Sequence, residues 1–167
     1  MWNIRGGHGH TFPGPVVPHG MIQPSPDTRI YGWDACSGYH YSDSTINGFS
    51  HTHLSGTGCG DYGDVLLMPT VGKQNYRYLG YGCQQTAYAS TFSHYKEVAK
   101  PGYYSVELER YHVTAELTAT PRAIGAVIPN LSIALGRPFT VIVSPKVKKL
   151  DLSSIWIIVC KDKRIST

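Results

Sequence analysis

Glycine and proline interrupt this chain so often that a long helix has no room to form. Across the first 65 residues the breaks fall at Gly6-Gly7, Pro13-Gly14, Pro18, Pro24, Pro26, Gly32, Gly38, Gly48, Gly56, Gly58, Gly60 and Gly63, among others. Proline has no amide hydrogen to donate, and glycine in a helix interior costs about 1 kcal/mol relative to alanine. No window of twelve residues or more carries a 3.6-residue apolar period with caps. Such a chain is left with short strands, tight turns and long ordered loops. Ordered loops on a β scaffold are also where binding residues concentrate.

The strands are legible further on. Val113, Ala115, Leu117 and Ala119 alternate with Thr114, Glu116 and Thr118, a period of two that places one set of side chains on one face. Tyr103–Leu108 precedes it, with Glu109-Arg110 suited to a hairpin loop. Val65–Met68, ended by Pro69, reads as a buried strand, and Thr140–Val143 and Ile155–Val159 are β-branched runs. The fold class predicted is all-β: an antiparallel β-sandwich with long Gly/Pro-rich ordered loops, in one unit over residues 1–167. A chain of 167 residues is long enough to bury its own core. With 41% hydrophobic and 16% charged residues it is neither a coiled coil nor a charge-driven disordered segment. No run approaches the ~18 apolar residues of a membrane span, and Met1-Trp2-Asn3-Ile4 does not open a secretory signal pattern.

Charge is divided along the chain. Residues 1–72 hold two basic and five acidic side chains, whereas residues 137–167 hold seven basic and two acidic. The aromatic-rich part is therefore the acidic part, the reverse of a nucleic-acid surface. Cys36, Cys59, Cys83 and Cys160 form no C-x-x-C pair, so a Cys-only zinc site is not expected; free thiols or one bridge are. Gly6-Gly7-His8-Gly9-His10 lacks the Lys-Ser/Thr ending of a phosphate loop.

Six of the eight histidines lie within the first 53 residues, two pairs as His-x-His: His8/His10 and His51/His53. On a strand such a pair shares a face and can present two imidazoles to one metal. The carboxylate that usually completes such a site does not follow within six residues of His53, so hydrogen bonds to a polar ligand or to the loops are the other reading. Tyr31, Trp33, Tyr39, Tyr41 and Phe49 interleave with Asp34, His40, Asp43, His51 and His53. Flat rings beside hydrogen-bonding groups suit sugars, which present an apolar face and a rim of hydroxyls; a polar β-core packed with tyrosines has the same composition.

Longer words decide between these readings. They are Gly-Gly-His-Gly-His-Thr-Phe-Pro-Gly at 6–14, Val17-Pro18-His19-Gly20-Met21, Ser25-Pro26-Asp27-Thr28-Arg29 and Gly32-Trp33-Asp34-Ala35-Cys36-Ser37-Gly38-Tyr39-His40-Tyr41. Ile46-Asn47-Gly48-Phe49-Ser50-His51-Thr52-His53-Leu54-Ser55-Gly56, Gly60-Asp61-Tyr62-Gly63-Asp64 and Lys100-Pro101-Gly102-Tyr103-Tyr104-Ser105-Val106 continue the series. In this order, over residues 6–122, they resemble glycoside hydrolase family 92, the calcium-dependent exo-acting α-mannosidases. The resemblance implies an N-terminal β-sandwich whose partner, a larger C-terminal (α/α)6 barrel, is absent from this chain. It also implies an inverting reaction in which a glutamic acid protonates the leaving oxygen and an aspartate activates water, across carboxyl groups ~6.5–9.5 Å apart. Acid, base and most of the calcium environment come from the barrel, so no catalytic residue is expected here.

What the resemblance leaves to this chain is part of the pocket for a terminal mannose of a glycan. Asp27 and Arg29 are the expected hydrogen-bonding partners of sugar hydroxyls, Trp33 the stacking platform, and Cys36, His51 and His53 the lining. Asp27, following Pro26, equally suits a turn, and Asp61 and Asp64 suit bracing of the glycine loop. His19 stands where family members have Phe, which would put an imidazole at an apolar packing position. Export to the periplasm or cell surface of a bacterium is implied as well. After Arg122 the words stop at Ala123-Ile124-Gly125-Ala126-Val127-Ile128-Pro129-Asn130-Leu131 and return over 150–165. A reading-frame slip over about residues 124–145 is the expectation, with a clipped start at Met1–Arg5. The alternatives are a stand-alone carbohydrate-binding module, an inactive gene remnant and a His-based metal protein.

Overall fold

The alternation of Tyr103–Leu108 and Val113–Ala119 folds as it reads. Tyr104, Val106 and Leu108 are buried opposite Leu117, Ala115 and Val113 in an antiparallel hairpin, and the residues between them are not. The computed structural model describes residues 10–29, 35–56, 63, 65–73 and 85–122, together with the backbone of three later strands. In chain order the strands are β1 (Ser25–Asp27), β2 (Thr45–Ile46), β3 (Gly48–Ser50), β4 (Leu67–Val71), β5 (Ser90–Thr91) and β6 (Glu97–Lys100). They continue with β7 (Tyr103–Leu108), β8 (Val113–Ala119), β9 (Ile124–Val127), β10 (Phe139–Val143) and β11 (Ile155–Ile158). Among the described residues the helical structure is one 3-10 turn, His94–Lys96, capped by the Ser93 side chain accepting from the Tyr95 amide. No helix among them is long and apolar enough to cross a membrane.

One sheet runs β1-β3-β4-β10, a second runs β11-β9-β8-β7-β6, and β2 pairs with β5. Phe49 and Met68 from the first sheet meet Tyr104, Val106, Leu108, Val113, Ala115 and Leu117 from the second in one core. The domain is all-β, and its strand pairs are antiparallel except one. β9 and β11 pair in parallel, because the chain between them passes through β10 in the opposite sheet before returning; parallel neighbours need such a crossover.

Three local expectations change. The strand expected at Val65–Met68 begins at Leu67 and runs through Pro69 to Val71. Among the described pairings β3 meets β4 at Leu67 alone, so a residue without an amide hydrogen interrupts no β3 ladder at position 69. The hairpin loop has four residues, not two: Tyr111 and His112 donate back to Leu108 and Glu109, and His112 takes a left-handed φ of 52°. His19 does not occupy a buried packing position; it is exposed, in a tight turn closed by the Gly20 amide on Val17 O.

Candidate functional site

The outer face of the β1–β3 pair is polar. Pro26 stands opposite Phe49, which points into the core, so Ser25, Asp27 and Ser50 point the other way. All three are nonetheless buried; Asp27 and Ser50 find partners, while Ser25 Oγ has none among the described residues. Asp27 Oδ2 accepts from the Ser50 amide at 2.9 Å, and Oδ1 lies 3.0 Å from His53 Nε2. Ser50 Oγ is 2.9 Å from the same nitrogen, while His53 Nδ1 donates to Gln23 O at 2.7 Å. Burial alone would lower the His53 pKa, but the Asp27 carboxylate and these hydrogen bonds outweigh it and raise it above the usual value. Acceptors thus face both ring nitrogens, Gln23 O at Nδ1 and Asp27 Oδ1 at Nε2, an arrangement that favours the protonated ring.

Two turns close on this pair. Gly38 has a left-handed φ of +82°, and a β-carbon there would collide with Asp27 Oδ1. Its amide donates to Ala35 O, and its carbonyl accepts from the amides of Thr28 and Arg29. Arg29 then reaches away, with Nε and Nη2 donating to the two oxygens of Asp43 at 2.9 and 3.0 Å. Thr28 Oγ1 adds a third bond to Asp43 at 2.9 Å. Burial would raise the Asp43 pKa; the bonds from Arg29 and Thr28 reverse that and hold it below the ordinary carboxylate range. Cys36 is buried in the 35–38 turn, where its thiol donates to Gly56 O at 2.9 Å and lies 3.3 Å from His10 Nδ1.

The comparisons with known proteins fall on this stretch. The model of the glycosyl hydrolase family 92 N-terminal domain matches residues 5–125. The chain belongs to glycosyl hydrolase family 92. A family 92 α-mannosidase of Bacteroides thetaiotaomicron, solved in complex with mannoimidazole, is 46% identical at a TM-score of 0.64, over 71% of this chain and 16% of that one. A family 92 inverting mannosidase of the same bacterium is 33% identical at a TM-score of 0.55, over 70% of this chain and 14% of that one. A secreted glycosidase of Arthroderma benhamiae is 31% identical over 117 residues, 69% of this chain and 14% of the relative. The chain thus spans about one-seventh of the length of these relatives.

Of the six residues singled out in this family 92 domain, Asp27 and His53 touch. Arg29 and Cys36 sit on the loop that their pair abuts, and Trp33 lies outside the described residues. His51 is separate: Nδ1 donates to Val65 O at 2.6 Å, and Nε2 is buried without a partner among the described residues. Burial keeps its ring neutral by lowering its pKa. The two histidines do not present a shared face because β3 ends at Ser50 and the chain bends at His51. Among the five of these that are described, only His53 lines the open cleft of about 380 Å³ formed with Met21, Gln23, Thr52, Leu54 and Ser55.

A second polar centre was not anticipated. Glu97 accepts from the hydroxyls of Tyr39 and Tyr104 and from His94 Nδ1, at 2.9, 2.7 and 2.6 Å. Burial and the Glu97 charge both push the two tyrosine pKa values up, so the hydroxyls stay protonated donors. His94 in turn stacks on the exposed ring of Tyr41 at 4.2 Å. The sequence did hold a signal: Glu97 is the one acidic residue between Asp64 and Glu107.

Calcium takes six to eight oxygen ligands, and the described residues do not fit that demand. No group of three or more His, Cys, Asp or Glu converges among them. Asp27, Asp43 and Glu97 each spend their oxygens on the protein donors described above, and Glu107 pairs with Lys96 at 2.9 Å.

Proposed function

We propose that this domain forms one wall of the terminal-mannose pocket of an inverting α-mannosidase. The observation that carries the reading is the 46% identity to a Bacteroides α-mannosidase solved with mannoimidazole. Arg29 is the side chain that meets the sugar. Its side chain is a quarter exposed, and the fork on Asp43 fixes the guanidinium plane. Trp33 supplies the stacking face, and the buried Cys36 and His51 back the wall rather than meeting the sugar. Asp27 and His53, tied to each other, serve it from behind.

Inversion needs an acid and a base on opposite sides of the scissile bond. Both are assigned to the part of the parent enzyme that this chain does not span, and the calcium with them. Export follows the same reading, since the Arthroderma relative is a secreted protein.

The test begins by sequencing the locus across codons 118–170 and its flanks, where the family match ends. The full-length protein is then assayed on α-linked mannosides with and without calcium. Release of mannose with inverted configuration is expected, and Arg29→Ala should raise KM by roughly tenfold or more. A parent that releases no mannose overturns the activity; an unchanged KM in Arg29→Ala overturns the wall.

A further inference from the structure

We propose that His53 is the positioning residue of the Thr28–Arg29 and Ala35–Gly38 segments, setting Arg29 and Cys36 through Asp27 without touching either. The route is short and each contact is specific. His53 Nε2 lies 3.0 Å from Asp27 Oδ1, and that oxygen packs where a side chain on Gly38 would begin. Gly38 O receives the Thr28 and Arg29 amides at 2.8 and 3.1 Å, and Gly38 N closes the turn that carries Cys36. On the other side His53 Nδ1 is anchored to Gln23 O, ahead of β1, and its ring meets Phe12 at 5.2 Å between centroids. One ring therefore ties the approach to β1, the end of β3 and the loop beyond.

Charge makes this tie conditional. Both ring nitrogens donate only while the imidazole is protonated. Loss of that proton leaves a buried carboxylate facing a neutral ring, and an unpaired buried charge is costly. The titratable groups facing His53 among the described residues are Asp27, which favours the cation, and His51, which is held neutral and opposes it only when protonated. The folded value lies above the usual 6.5, so the tie is intact below that pH and is lost as pH rises through the folded value. The described segments that carry Arg29 and Cys36 loosen in the same range.

The inference rests on the pocket-wall reading for what the loop is for, but its test needs no sugar, so the two can fail separately. The isotope-labelled 167-residue chain is titrated from about pH 5 to about pH 9 by NMR, following the His53 ring, the Arg29 and Cys36 signals, and exchange of the Thr28 and Arg29 amides. His10 lies beside Cys36 and His40 beside Asp43, so the component due to His53 is identified by its shared midpoint with the His53 ring. A component in the Arg29 and Cys36 signals that shares the His53 midpoint is expected. Amide exchange should accelerate about tenfold beyond its intrinsic pH dependence over the same range. In His53→Gln that component disappears. Wild-type loop signals indifferent to the His53 titration overturn the proposal, whether or not the variant folds, as does persistence of the component in His53→Gln.

Discussion

A β-carbon added to Gly38 would meet the Asp27 carboxylate on one side and His53 Cδ2 at 3.2 Å on the other, at a φ that L side chains avoid. Left-handed geometry alone costs about 1–2 kcal/mol, and neither neighbour can retreat without breaking the ion pair. Gly38→Ala should lose about 2 kcal/mol or more by denaturant unfolding; a change within about 0.5 kcal/mol would show that the turn relaxes freely. The histidines two positions apart act in opposite directions. His51 has its folded pKa lowered by burial, so its contribution is present above 6.5 and is lost as pH falls below it. Melting temperatures taken across pH should therefore drop on the acid side because of His51 and on the alkaline side because of His53. His51→Gln is expected to flatten the acid limb and leave the alkaline one; an unaltered acid limb would place the proton uptake elsewhere.

The β7–β8 hairpin was legible because its whole logic is local: period two, one buried face, a loop of adjacent residues. Leu108 is fully buried in it, and Leu108→Ala should cost about 2–5 kcal/mol in chemical unfolding. β1 and β3 were not legible, since three-residue strands built around Pro26 and Gly48 carry no period to read. Their pairing depends on loops that only the folded chain brings together. The site shows the same division. Residue types and family words singled out Asp27, Arg29, Cys36, His51 and His53, and hydrogen bonding of the two histidines to loops holds at Val65 O and Gln23 O, whereas the shared strand face does not form because β3 ends at Ser50. Glu97 was passed over since its donors come from β7, from the turn before β6 and from the loop at Tyr39. Replacing it by Gln turns one acceptor into a donor facing those donors. A loss of about 1–3 kcal/mol is expected for Glu97→Gln, and equal stability of the two proteins would mean the cluster is held by packing alone.

At the scale of the molecule, both sheets are completed by strands beyond the well-matched part of the chain. Residues 123–167 contain β9, β10 and β11 and carry seven basic and two acidic side chains, so removing them takes the formal charge from +4 to −1. The seven-residue β8 would become a bare sheet edge at nearly zero net charge, a combination that favours association. A chain ended at Arg122 should run as higher oligomers in size-exclusion light scattering; a clean monomer would mean the edge is protected. The register of β10 against β4 sets the order of events during folding. Val143 pairs with Leu67, seventy-six positions earlier, whereas β7 and β8 pair across four residues. Long loops close late and slowly, so on a ribosome the hairpin is complete while half of the other sheet still waits for its last strand. For that interval the Met68 side of the core has no lid, and the time a nascent chain spends there decides how much of it reaches the sandwich.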